Sequence, residues 1–107
     1  MMYRHIERRD MNLFALAGYI IEEPVKITTD NGTRLCRLKI SVDKGYKETE
    51  EDKEIYEVTV FRNLVDEDYH LGQFIAVNGK LVSNNYRSEN KQYYNANLIG
   101  NNVTLKD

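Results

Sequence analysis

The sequence has no tryptophan, one proline and one cysteine among its 107 residues. A lone Cys36 has no partner for an internal disulfide, so nothing points to an oxidising compartment and a cytoplasmic location is expected. No apolar run approaches the ~20 residues that a membrane helix needs, and no secretory apolar segment precedes the first ordered element. The two histidines, His5 and His70, give no zinc-ligand spacing with Cys36. A G-x-x-x-x-G-K-S/T phosphate cradle and a G-x-S-x-G nucleophile elbow are both missing. So are internal repeats, low-complexity tracts and a Gly/Ser linker. These absences remove the usual enzymatic constellations. The expectation is a binding protein without cofactor, metal or small-molecule substrate.

What is present suits a single domain: 41% hydrophobic residues to build a core and 30% charged residues to keep it in solution. The formal net charge of -2 argues weakly against a nucleic-acid partner, but distribution matters more than the sum. Eight of the 17 acidic residues fall in two runs, Glu48, Glu50, Glu51, Asp52 and Glu54, then Asp66, Glu67 and Asp68. Arg34, Arg37, Lys39, Lys44, Lys47, Lys80, Arg87 and Lys91 lie elsewhere. That segregation is compatible with one basic face on an acidic chain.

Residues 1–11 carry mixed charge without pattern and are expected to form a flexible arm. Met11 is a second possible translation start. Residues 12–107 are expected to form one domain. Residues 12–21 are nearly all apolar, which suggests a strand covered on both faces. A helix is the alternative, disfavoured by Gly18 and by the aromatic and β-branched residues. Pro24 interrupts, a short strand covers 25–29, and Asn31-Gly32 makes a hairpin turn. Cys36, Leu38, Ile40 and Val42 then alternate with Arg37, Lys39 and Ser41. Cys36 has the parity of a small core hydrophobe, a reactive thiol being the minor reading. A polar loop spans 43–54. In the next strand Tyr56, Val58 and Val60 share one face, and Ile55, Glu57, Thr59 and Phe61 the other. With the valines inward, Phe61 points out. Residues 64–71 are expected to be a short helix ended by Gly72, with Asp66, Glu67 and Asp68 explained by the helix dipole rather than as metal ligands. Ile75, Val77, Gly79 and Leu81 form another inward set, 83–92 a polar hairpin loop with Tyr86, and Tyr94, Ala96 and Leu98 the last strand. This order predicts an all-β chain, a five-stranded antiparallel OB-fold barrel with a short helix between its third and fourth strands.

Aromatic residues beside cations are the most suggestive feature. Tyr46 lies between Lys44 and Lys47, Phe61 precedes Arg62, and Tyr86 precedes Arg87. Every base offers a π-face, so stacking on such rings works for any sequence while cations track the phosphates. Each ring taken alone is equally well explained as a cap on the edge of the core. The three together on one barrel face favour a surface for single strands.

From about residue 12 to 105 the chain resembles the OB domain of bacterial and phage single-stranded DNA-binding proteins. The stretches MNLFALAGYIIEEP, TTDNGTRLCRLKISVDKGYK, IYEVTVFRNLVDEDYHLGQFIAVNGKL and VNGKLVSNNY carry the likeness, by their order and spacing. The resemblance implies base stacking on Tyr46, Phe61 and Tyr86. A further stacking position falls on Ile55, which weakens that contact, and tyrosines stand where tryptophans are common. Strand parity and loop position add Arg37, Lys39, Lys80 and Arg87 as phosphate contacts. The resemblance also implies a homodimer or homotetramer through the first strand, with Leu13, Ala15 and Ala17 as candidate contacts, although cover within one barrel explains these residues too. The family's long acidic, aromatic-tipped tail has no counterpart before Asp107. The implied function is sequence-independent binding and protection of single-stranded DNA in replication, recombination or repair. An OB-fold adaptor of the replication-restart type, binding DNA only secondarily, is the alternative.

Overall fold

A computed structural model of the chain describes residues 10–43, 53–83, 86–89, 91–93 and 96–106. The expected arm is thus outside the described residues except at its end, and so is most of the polar loop after Asp43. Among the described residues there are eight strands: β1 (Phe14–Ile20), β2 (Val25–Thr28), β3 (Arg34–Asp43), β4 (Lys53–Phe61), β5 (Phe74–Ser83), β6 (Tyr86–Ser88), β7 (Lys91–Tyr93) and β8 (Ala96–Lys106). Five of them close a ring in the order β1-β5-β8-β4-β3, and β3 returns to β1 through Tyr19↔Ser41 and Ile20↔Ile40. The expected OB barrel is what forms. Its pairings are antiparallel except for β4 with β8, which run parallel through Val58↔Leu98 and Val60↔Gly100.

The seam where β3 meets β1 depends on glycine. A Cβ built on Gly18 would sit 2.1 Å from the backbone oxygen of Ser41, so any side chain there would push β1 off β3. Pro24 explains the sixth strand. After Ile20 the chain steps past Pro24, which cannot donate to a ladder, and pairs again as β2 on the same edge of β3, over Arg34–Arg37. The β2–β3 turn has Gly32 at φ +87°, with Gly32 N–H donating to Thr29 O at 2.9 Å.

The period-two pattern fills the barrel as expected with Cys36, Leu38, Ile40, Val58, Val60, Ile75 and Val77, all at most 2% exposed. Burial raises the Cys36 thiol above its ordinary pKa, which keeps it a neutral packing group. Ile20, Val65 and Tyr69 complete the core. The Tyr69 hydroxyl donates to Leu64 O at 2.6 Å, and burial pushes its pKa up.

Several elements depart from the expectation. The helix is only a 3-10 turn, Arg62–Asp66, lying two residues earlier and ending well before Gly72. So short a turn has little dipole, so the acidic run needs another cause. Asp66 has one, an ion pair with Arg34 on β3. The first strand is not covered on both faces: Leu16, Gly18 and Ile20 turn inward, while Leu13, Ala15, Ala17 and Tyr19 are exposed. Tyr56 has inward parity and lies opposite the buried Ile40, yet it comes near the start of β4, ahead of Val58 and Val60, and is not fully covered. Tyr56 is half-buried and its hydroxyl donates to Glu54 Oε1 at 3.0 Å, which raises its pKa. Leu81 is exposed as well: it keeps the inward parity of Ile75, Val77 and Gly79, but β5 runs on beyond the core there. The hairpin after Ser83 contains a two-stranded ribbon, β6 with β7, and β8 is 11 residues long, far past Leu98.

Candidate nucleic-acid interface

With even-numbered residues of β3 and β4 turned into the core, their odd-numbered residues form one outward surface with β2. Register sets its rows: Ile27, Leu35 and Phe61; then Val25, Arg37 and Thr59; then Lys39 and Glu57; then Ser41 and Ile55. Phe61 ends β4 and is half-buried. It stands between two grooves. One, of about 540 Å³, opens toward the β2–β3 turn at Asp30 and Asn31. The other, of about 890 Å³, runs from Arg34 past Phe61 and Arg62 to Lys80 on β5 and Asn101 on β8. A ring on a ridge between two concave surfaces leaves room for a flat group to lie against it.

Charge is unequal along this surface. The larger groove is lined by Arg34, Arg62 and Lys80, with no carboxylate among its lining residues. Arg34 is engaged: its Nη1 lies 3.4 Å from Asp66 Oδ2, and Nη2 contacts Oδ1. That mutual hydrogen bond raises the guanidinium pKa and holds the Asp66 carboxyl below its usual range. Arg62 and Lys80 are exposed and have no ion-pair partner among the described residues. At the far end Lys39 Nζ is 3.1 Å from Glu22 Oε2, and Glu57 lies opposite it on β4. A small hollow there is lined by Glu22, Glu23 and Glu57 together with Arg37 and Lys39. A polyanion meets an unpaired positive end near Phe61 and a mostly neutralised end near Lys39.

A groove with an aromatic edge and cationic walls has the physical chemistry that a nucleic acid needs, and the comparison with known proteins bears on the fold that carries it. The pattern of the single-strand binding protein family matches residues 11–106. The chain belongs to that family. No curated protein sequence matches it closely enough to count as a relative. Among solved structures it is similar to a Plasmodium falciparum SSB in complex with ssDNA, with a TM-score of 0.70 at 14% identity, covering 95% of this chain and all of that one. It is also similar to the small single-stranded DNA-binding protein of Streptomyces coelicolor, with a TM-score of 0.70 at 16% identity, over 92% and 96% of the two chains. A deletion mutant of the Thermus aquaticus single-stranded DNA-binding protein gives 0.68 at 21% identity, over 90% of this chain and 41% of that one. At such identities the likeness speaks for the fold.

Within this single-strand binding fold the residues singled out from sequence are dispersed. Phe61 and Lys80 line one groove. Arg37 is exposed one row from Phe61 on the same sheet surface, and Lys39 is two residues further along. Tyr86 and Arg87 lie on the β6–β7 ribbon, in register with Tyr93 and Gln92. Tyr46 lies outside the described residues. Ile55 is outward on β4 and 59% exposed, so the aliphatic residue at that position does face solvent. Sequence reasoning noted Arg62 beside Phe61 without naming it as a phosphate contact, and it missed the neutralisation of Arg34, because Asp66 is 32 positions away in the chain.

Proposed function

We propose that the chain binds single-stranded DNA without sequence preference, stacking bases on Phe61 and on the loop and ribbon tyrosines Tyr46 and Tyr86. Arg37, Lys39, Lys80 and Arg87 neutralise phosphates. The observation that carries this reading is Phe61 on its ridge beside a groove whose unpaired side-chain charges are all positive, in a member of the single-strand binding family. Rings of this kind accept any base, and the cations supply a salt-dependent, sequence-blind attraction. A solved structural neighbour is itself in complex with ssDNA. The role that follows is cover and protection of single strands in replication, recombination or repair, by a non-catalytic protein of the cytoplasm. Among the described residues no helix is long and apolar enough to cross a membrane. We place one domain at 12–107 with an arm before it.

The exposed, uncharged outer face of β1, with Leu13 64% exposed beside Ala15 and Ala17, supports assembly into a homodimer or homotetramer. Titration of fluorescent oligo-dT against a hairpin duplex, at several salt concentrations, tests the binding proposal. The single strand is expected to bind far more tightly, with affinity falling as salt rises. Equal affinity for the two would sink it.

A further inference from the structure

Strand parity assigns Arg62 to the wrong side of the sheet. Val58 and Val60 are fully buried, so the next even residue on an unbroken strand enters the core, where an unpaired guanidinium is strongly disfavoured. The chain avoids this with its backbone. Phe61 is still extended, at φ -128° and ψ 166°, whereas Arg62 has φ +57°. That left-handed conformation is unfavourable for a residue with a Cβ and common only for glycine. It ends β4 abruptly, starts the 3-10 turn, and leaves Arg62 exposed on the wall of the groove that Phe61 borders. A glycine would make the same turn without strain. Strain of this kind gathers at binding sites, where the surrounding structure holds it for a purpose.

We infer that Arg62 is a nucleic-acid contact: its guanidinium binds the phosphate next to the base stacked on Phe61, and its left-handed backbone is what delivers it there. The inference rests on the single-strand reading above and adds a residue and a geometry to it. Two further observations support it. Arg34, the other guanidinium of the groove, is already engaged by Asp66, whereas Arg62 has no carboxylate partner among the described residues. Lys80 lines the same groove, so two unpaired cations share its walls with one aromatic ring. A ring with cations beside it suits a chain that alternates base and phosphate.

The test compares the parent chain with Arg62→Gly and Arg62→Lys in oligo-dT titrations over a range of salt, with the thermal midpoint of each. Glycine relieves the left-handed strain, so Arg62→Gly is expected to melt at or above the parent's temperature while binding several-fold more weakly. Its plot of log affinity against log salt should flatten by about 0.7, the contribution of one phosphate on a single strand. Arg62→Lys keeps the charge and should keep the parent's slope, with part of its affinity. Arg62→Gly binding with the parent's affinity and slope overturns the inference. So does loss of slope in Arg62→Lys equal to that in Arg62→Gly, since charge would then not be what matters. A parent chain that prefers duplex, or ignores oligo-dT, instead refutes the single-strand reading itself.

Discussion

Two outward faces of one barrel share a core and differ in everything else. The β2–β3–β4 face carries Phe61, Arg37 and Lys39 and leads into a groove lined by Arg62 and Lys80. The β1–β5–β8 face is built from rows of small uncharged residues: Ala15, Asn78 and Asn102, then Ala17, Ala76 and Thr104. Only at its end does it gain size, where Tyr19 and Phe74 meet edge to face at 5.1 Å beside Lys106. Both faces come from the same alternation, inward residues apolar and outward residues free to vary. The first is ridged, aromatic and charged, which suits a flexible polyanion with flat bases. The second is uncharged over its middle rows, which line a shallow hollow of about 290 Å³, and this suits another protein surface. On the reading proposed above, one small fold holds a ligand on one side and a copy of itself on the other without either site disturbing the packing between them.

A change in the shared core should erase the contrast. Leu38 is fully buried beneath both faces, and Leu38→Ala should cost about 2–5 kcal/mol of stability. Denaturant unfolding would measure it, and oligo-dT binding and assembly should fail together as the chain melts. A variant that loses one of these while staying folded would show that the faces do not depend on a common core.

Changes on one face should separate the two properties. Phe61→Ala should weaken oligo-dT binding by roughly ten-fold or more, since a stacked ring contributes about 1–3 kcal/mol per base. Its effect on the solution mass should be nil. The counterpart is Ala17→Arg on the exposed side of β1, which places a charge in the uncharged rows of that face. Light scattering should then give a mass near the chain's own 12.6 kDa, with oligo-dT affinity per chain changed little and stability within about 0.5 kcal/mol of the parent, as for an exposed substitution. If Ala17→Arg abolishes binding to short oligo-dT while the protein stays folded, the division of labour between the faces is wrong.

The smallest effect concerns Arg34. Asp66 is held below its usual pKa by this partner, so the pair's contribution to folding is present above the ordinary carboxylate range and is lost as pH falls through the depressed value. Both side chains are exposed, so stability should respond little. Binding should respond more visibly. Asp66→Asn frees the Arg34 guanidinium in the groove and should tighten oligo-dT binding a few-fold with a steeper salt dependence. Unchanged affinity and slope in this variant would mean that Arg34 lies off the path of the strand.

How far the sequence could be read follows the range of the forces involved. Alternation along β3, β4 and β5 was legible because a residue's side of the sheet is set by its immediate neighbours, and so Cys36, Leu38, Val58, Val60 and Ile75 were placed correctly, as was the outward Phe61. The same local rule fell short toward strand ends. It put Leu81 inside and Tyr56 fully inside, although parity says only which way a residue points and not how much lies there to cover it. The acidic run after Leu64 looked like a helix start because a dipole is a local explanation, whereas the partner of Asp66 comes from another strand.

By itself the sequence determined the period-two core, the breaks at Pro24 and Gly32 and the order of strands that makes an OB barrel, all of them consequences of neighbouring residues. Only the tertiary structure decided which charges remain available. Arg34, Arg62, Lys39 and Lys80 look alike along the chain. Packing gave Asp66 to Arg34 and Glu22 to Lys39, and left Arg62 and Lys80 in the groove beside Phe61 without an ion-pair partner among the described residues. Electrostatic partnership depends on distance in space, and in a closed barrel the residues that meet come from strands far apart in the sequence.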